Sequence, residues 1–162
     1  MQNAKDSFYL ELRSRLAAVN PERTVLLRGS IRPAILLEDA EAPFSQTPSD
    51  TFIMRWIALG ADLQQPSTMV ALECEFSYST SGTQAFGGLD RGRSLTRMDR
   101  ELRAMLQPFS APKFDYAVQP AAPLKTQIFW DEPAFAPITT HRDRLSRTAR
   151  VIVYSYEEQS ES

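Results

Sequence analysis

Apolar residues recur along this chain with two different periods, and the places where the period changes outline its elements. From Val70 to Tyr78 they take every second position (Val70, Leu72, Cys74, Phe76, Tyr78), while Ala71, Glu73, Glu75 and Ser77 take the other face. A period of two predicts a half-buried strand. After a run of breakers from Ser79 to Gly92 the spacing becomes helical, with Leu95, Met98, Leu102, Met105 and Leu106 on one stripe. This predicts a helix over about 93–107. Near the N-terminus Phe8, Leu12, Leu16 and Val19 share a stripe and predict a helix over about 4–19, with Asn3 or Asp6 as its cap and Asn20-Pro21 as its stop. Thr51 to Leu59 reads as a strand with apolar residues on both faces. Ala149 to Tyr156 alternates, with Val151 and Val153 opposite Ile152, Tyr154 and Tyr156. Arg23 to Arg28, Ala34 to Glu38 and Gln127 to Trp130 are shorter extended pieces. The pattern leaves open whether the first two are one bent strand or two.

Between these elements lie segments without periodicity. Residues 39–50 are acidic and rich in proline, serine and threonine around one aromatic, Phe44, which predicts a contact loop. Gly60 to Ser67 reads as a hairpin connection, 108–126 as proline-divided loop or extended edge, and 157–162 as a frayed acidic tail. At 162 residues, 43% of them hydrophobic and 23% charged, the chain has the size and composition of one globular domain with one core. The expectation is a single α+β domain, 1–162, in which a small, mostly antiparallel sheet packs against the two main helices.

Charge and candidate chemistry narrow the function classes. A net charge of -2 argues against a protein whose main task is coating nucleic acid. No apolar run approaches the ~20 residues of a membrane span, and Asp6 and Glu11 interrupt any signal-peptide core, so the chain is read as soluble and made in a cytoplasm. Cys74 is the single cysteine, on the apolar face of its strand, and His141 is the single histidine. Together they are too few for a Cys/His zinc site, and a Cys-His dyad would need Cys74 turned out of its strand face. Glu73 and Glu75 could serve acid–base chemistry, but alternation alone places them on a solvated face. The loop from Gly82 to Arg93 is glycine-rich and precedes a helix, the geometry that cradles phosphates. It lacks the Lys-Ser/Thr pair of a P-loop and the glycine spacing of a dinucleotide site. No catalytic residue, cofactor or metal is assigned.

Arginine is the more informative residue. Arg91, Arg93, Arg97, Arg100 and Arg103 gather on the second helix, and Arg142, Arg144, Arg147 and Arg150 before the last strand, whereas Lys5, Lys113 and Lys125 are the only lysines. Planar guanidinium groups suit ordered pairing across interfaces. With Phe44, Trp56 and Trp130 as apolar anchors, the candidate interface set is Phe44, Trp56, Arg91, Arg93, Arg97, Arg100, Trp130, Arg142, Arg144 and Arg147. The acidic 39–50 loop and C-terminal tail of another copy are candidate partners.

The order of elements resembles the tail terminator proteins of long-tailed bacteriophages. The likeness rests on an N-terminal helix, the Arg32-Pro33-Ala34-Ile35 piece followed by Glu38-Asp39, a variable loop, an alternating strand, one amphipathic helix from Leu95 to Leu106, and a β-rich end, Val151 to Glu157. It covers nearly the whole chain, which is longer than the pattern in the 39–50 loop and the 108–126 stretch. The resemblance implies a non-enzymatic subunit that forms a ring, usually a hexamer. Such a ring caps the tail tube and joins it to the head connector, in the host cytoplasm during assembly and at the upper end of the virion tail afterwards. The implied partners are the tube protein and connector or neck proteins, with the sheath as a further candidate, and with no membrane and no sequence-specific nucleic acid. Three other readings stand beside it: a tail-tube or neck protein, a small phosphate- or nucleotide-binding domain using residues 82–93, and a nucleic-acid-binding module using both arginine clusters.

Overall fold

The computed structural model describes residues 1–41, 48–57 and 69–157. Helix α1 (Gln2–Val19) is followed by strands β1 (Thr24–Leu27), β2 (Ser30–Pro33) and β3 (Ile35–Leu37), a helical turn α2 (Glu38–Glu41), and strands β4 (Phe52–Ile57) and β5 (Met69–Thr80). Then come helix α3 (Arg91–Met105) and strands β6 (Ser110–Asp115), β7 (Ala122–Trp130), β8 (Ala134–Phe135), β9 (Thr139–His141) and β10 (Arg144–Tyr156). The class is α+β with a mostly antiparallel sheet and two main helices. The sheet is larger than expected, with eight strands in the order β3-β4-β5-β10-β7-β6, while β8 and β9 pair with β10. Among the described residues only the β3–β4 pair is parallel.

Both helices lie on one face of this sheet. Phe8, Leu12 and Leu16 of α1 and Leu95, Met98, Leu102 and Met105 of α3 share a core with inward residues of β4, β5, β10 and β7. Its centre is Phe8, whose ring meets Trp56, Phe76 and Trp130 at centroid distances of 5.7, 6.4 and 5.0 Å. Val19, placed on the same stripe by its spacing, is exposed at the helix end. The expected cap at Asn3 or Asp6 is also corrected: α1 starts at Gln2, with Met1 as N-cap and no side-chain cap bond. Asn20 is extended, as a following proline requires, and ends the helix.

The extended pieces around Gly29 resolve into a hairpin and a separate strand. β1 and β2 pair in a sheet of their own, turning at Arg28-Gly29, both with positive φ (50° and 81°), the backbone of a type I′ turn. β3 then joins the main sheet beside β4. The 108–126 stretch holds more strand than expected: β6 forms an edge of the sheet and pairs with a β7 of nine residues, with a bulge between Pro112 and Phe114. The antiparallel pairing of β4 with β5 fits the hairpin expected there. The connection itself, the 42–47 part of the acidic loop with Phe44, and tail residues 158–162 lie outside the described residues.

Side chains of α1 occupy both edges of the sheet. On β6, the Ser7 hydroxyl accepts the Phe114 N–H at 2.9 Å, and the Arg15 guanidinium donates to the carbonyls of Ser110 (2.8 Å), Pro108 (2.7 Å) and Met105 (3.2 Å). Arg15 also pairs with Glu11 at 2.8 Å. On β3, the Tyr9 hydroxyl lies 3.2 Å from the Ile35 carbonyl, and the Glu41 carboxylate accepts the Leu37 N–H at 3.2 Å. Arg32 donates to both oxygens of Glu41 at 2.7 Å and to the Tyr9 hydroxyl, which also meets Glu41.

Burial raises the pKa of the Glu41 carboxyl. The hydrogen bonds from Arg32, Tyr9 and the Leu37 N–H, with the Arg32 charge, outweigh it and hold the group at about 2. A carboxylate depressed in the folded state stabilises fully above its unfolded pKa of about 4.5, and that contribution is lost as pH falls through about 2. The stability advantage of the wild type over Glu41→Gln, measured by urea unfolding, is therefore expected to be constant above pH 5 and to shrink steadily towards pH 2. A pH-independent difference would contradict this role for Glu41.

Candidate interaction surfaces

The arginines that the sequence sets apart separate into two groups once the fold is in place. Arg147, from β10, donates to Asp99 of α3 at 2.7 Å and to the Ala136 carbonyl at 2.9 Å, and lies over the Phe135 ring. The Tyr78 hydroxyl contacts the other Asp99 oxygen at 2.5 Å. Burial first, then this hydrogen bond and the Asp99 charge, push the tyrosine pKa up. The cluster fixes α3 on β5 and β10, so Arg147, an interface candidate by sequence, is engaged as a clamp within the chain. Trp130, another interface candidate, lies in the core: it is 4% exposed, and its indole N–H donates to the Leu106 carbonyl at 2.8 Å. Trp56 is half-buried beneath Lys5, and it keeps part of its indole at the surface.

Arg23 and Asn20 both donate to Glu101, one of the two acidic residues of α3. With Asp99 held by Arg147, both α3 carboxylates are committed inward. The outer face of the helix is then left to Arg93, Arg97, Arg100 and Arg103, all exposed. Arg93 lies over Phe86 and Arg103 over Phe135. Arg91 donates to the Asp143 carbonyl at 3.0 Å, which brings the β9–β10 turn, with exposed Arg142, beside the start of α3. The two clusters, far apart in the chain, meet there. Arg144 is half-buried at the start of β10, next along the chain from that turn.

The glycine-rich loop does not make a phosphate cradle. The N–H groups of Phe86, Gly87, Gly88, Leu89 and Arg91 are taken by loop carbonyls, and that of Gly82 by the Thr80 hydroxyl. The Thr83 N–H and hydroxyl both donate to Asp90 at 2.8 Å, which lowers the Asp90 pKa and puts an anion where a phosphate would sit. Gly82 and Gly88, at φ 74° and 80°, permit this tight winding; a Cβ on Gly82 would come within 2.6 Å of the Asp90 carboxylate.

Apolar groups remain uncovered by other described residues in several places, among them Phe86 and Leu89 just ahead of α3, 58% and 90% exposed. On the β1–β2 hairpin, Leu26 and Ile31 are a cross-strand pair, 69% and 74% exposed. On the sheet face opposite the helices, Phe129 and Tyr154 stack at 5.5 Å beside exposed Ile152 and Tyr156. On that face Glu75, expected to be solvated, is buried between Arg55 (2.7 Å) and Arg150 (3.0 Å), and Arg150 also reaches Glu73. Among the described residues no group of three or more His, Cys, Asp or Glu converges as metal ligands would, and Cys74 is buried, its pKa raised by burial and by the Glu75 charge. No model of a known protein family matches the chain, and no curated protein matches it.

The split between clamping and free arginines is measurable. Arg147→Ala leaves Asp99 and Tyr78 without their cation and is expected to lower stability by about 1–3 kcal/mol. Arg97→Ala, on the open face of α3, is expected to change it by less than about 0.5 kcal/mol. Parallel urea unfolding of the two variants checks both values, and equal losses would refute the division.

Proposed function

We propose that this chain is a structural assembly subunit, a tail terminator of a long-tailed phage or phage-derived system. In this reading it forms a ring, most simply a hexamer, that caps the tail tube and meets the head connector at the upper end of the virion tail. The observation that carries the self-assembly part is where apolar surface remains. Both edges of the main sheet are occupied by α1 side chains, yet the β1–β2 hairpin holds Leu26 and Ile31 out to solvent, and the sheet face carries Phe129, Ile152 and Tyr154. Exposed apolar groups on a projecting hairpin and on a separate face suit a head-to-tail contact between copies, the kind that closes into a ring when the rotation permits. The assignment to a phage tail rests on the likeness in element order, which this α+β architecture supports at the level of class.

Light scattering and negative-stain imaging of the purified protein, alone and with tail tubes, test the proposal. Rings, or a monomer that becomes a ring on tube ends, are the expected result. Leu26→Asp with Ile31→Asp should block ring formation while leaving the circular dichroism spectrum unchanged, since neither side chain belongs to the core. A monomer that ignores tubes at every concentration would overturn the proposal.

A further inference from the structure

We infer that the outer face of α3, together with the β9–β10 turn, binds the phosphodiester backbone of double-stranded nucleic acid without reading its sequence. The inference stands on α3 alone and does not depend on the assembly reading. Its first support is uncompensated charge. Arg97, Arg100 and Arg142 are exposed and have no carboxylate partner among the described residues, Arg103 lies over the Phe135 ring, and Arg93 lies over Phe86 with Asp90 near its charge. Arg93, Arg97, Arg100 and Arg103 succeed one another at intervals of three and four, so they form one stripe that rises about 15 Å along the helix. Like charges at those spacings repel, and cations in the first turn oppose the helix dipole. The fold therefore carries a local electrostatic cost that an anionic partner would relieve. That cost arises because both acids of the helix, Asp99 and Glu101, are spent on Arg147 and Arg23.

The second support concerns what kind of anion fits. The other exposed positions on α3 itself are Gly92, Thr96 and Ala104, so the large apolar side chains near the arginines, Phe86 and Leu89, lie only at the N-terminal end of the stripe. Along the stripe from Arg97 to Arg103 a protein partner would find no apolar centre to bury, and such a centre is what distinguishes the core of protein interfaces. A phosphate backbone needs none. It is met by guanidinium forks in a polar, wet contact, and arginine in place of lysine suits bidentate contact with phosphate oxygens. The net charge of -2 does not oppose this, because the screening length at physiological salt is about 8 Å and a local stripe acts on its own.

Fluorescence anisotropy with a labelled random-sequence 20-base-pair DNA duplex, titrated with the full chain at increasing salt, tests the inference. Binding is expected at 50 mM salt with no preference between two unrelated sequences. It should weaken with a log–log slope of about -3 to -4, as for four phosphate contacts. Arg97→Ala with Arg100→Ala should reduce affinity at least about tenfold and flatten the slope by nearly 2, each lost contact removing about 0.9. Both positions are exposed, so an unchanged circular dichroism spectrum is expected to show that the variant is folded. Absence of binding at 50 mM salt, or a double variant that binds as the wild type does, would overturn the inference. So would displacement of the duplex by poly-glutamate at equal charge concentration, which would make the stripe a site for acidic protein.

Discussion

The structure depends on one helix closing a sheet that would otherwise have two open edges. A terminal strand presents unpaired N–H and C=O groups, and these template unwanted pairing with other chains. Here α1 crosses the sheet and places Phe8 in the centre of the core, where it meets β4, β5 and β7. From that anchored position Ser7 reaches the backbone of β6, Arg15 reaches the same edge and the end of α3, and Tyr9 reaches β3. The three polar contacts have their geometry only because the apolar stripe fixes the helix. Pro112, the bulge beside it and the buried Lys113 interrupt the β6 edge further. Exposed apolar and cationic groups then remain on the hairpin, the open sheet face, and α3 with the loop ahead of it.

Arginine serves two purposes in this chain, and burial separates them. Arg15, Arg23, Arg32 and Arg147 are largely enclosed and each satisfies several acceptors at once, bridging elements distant in sequence. A lysine has a single ammonium and could not reproduce the three carbonyl contacts of Arg15 in their spread geometry. Enclosed pairs are costly to break, because one partner is left buried and charged, although the intact pair contributes modestly. The Arg32 cluster shows the limit of such packing: its Nε is buried without a partner, while the rest of the group is fully engaged with Glu41 and Tyr9. The α3 arginines face solvent and contribute nothing comparable to the fold.

Much of the fold was legible in sequence because burial imposes a period. The stripe Leu95, Met98, Leu102, Met105, Leu106 is buried in full, as are Leu72, Cys74, Phe76 and Tyr78 of β5 and Val151 and Val153 of β10. What stayed hidden had little or no period to show. β6 is an edge strand with proline and lysine at its centre, and β8 and β9 are two and three residues long. β2 became visible only through a turn whose first residue, Arg28, is not one of the usual left-handed formers. The same limit applies to the surfaces. Spacing places Arg147 and Arg97 alike in arginine clusters, and only the tertiary position of Asp99 assigns one to the interior. Trp130 reads as an anchor by type, yet the neighbours that bury it, Phe8 and Leu106, come from elements remote in the chain.

The apolar surfaces and the cationic one differ in their physics. Contact through Leu26, Ile31 and the sheet-face aromatics gains from removing apolar area from water and is strengthened by salts excluded from the protein surface. Contact through the α3 arginines gains from releasing counterions and is weakened by any added salt. The first is short-ranged and needs shape complementarity. The second reaches a partner over about a Debye length and tolerates imprecise docking. On the two proposed readings, a self-contact through the hairpin and a phosphate contact through α3 would not compete for the same groups. The inward commitment of Asp99 and Glu101 is what keeps them apart: it fixes α3 to the sheet and, by the same bonds, leaves its outer face positive.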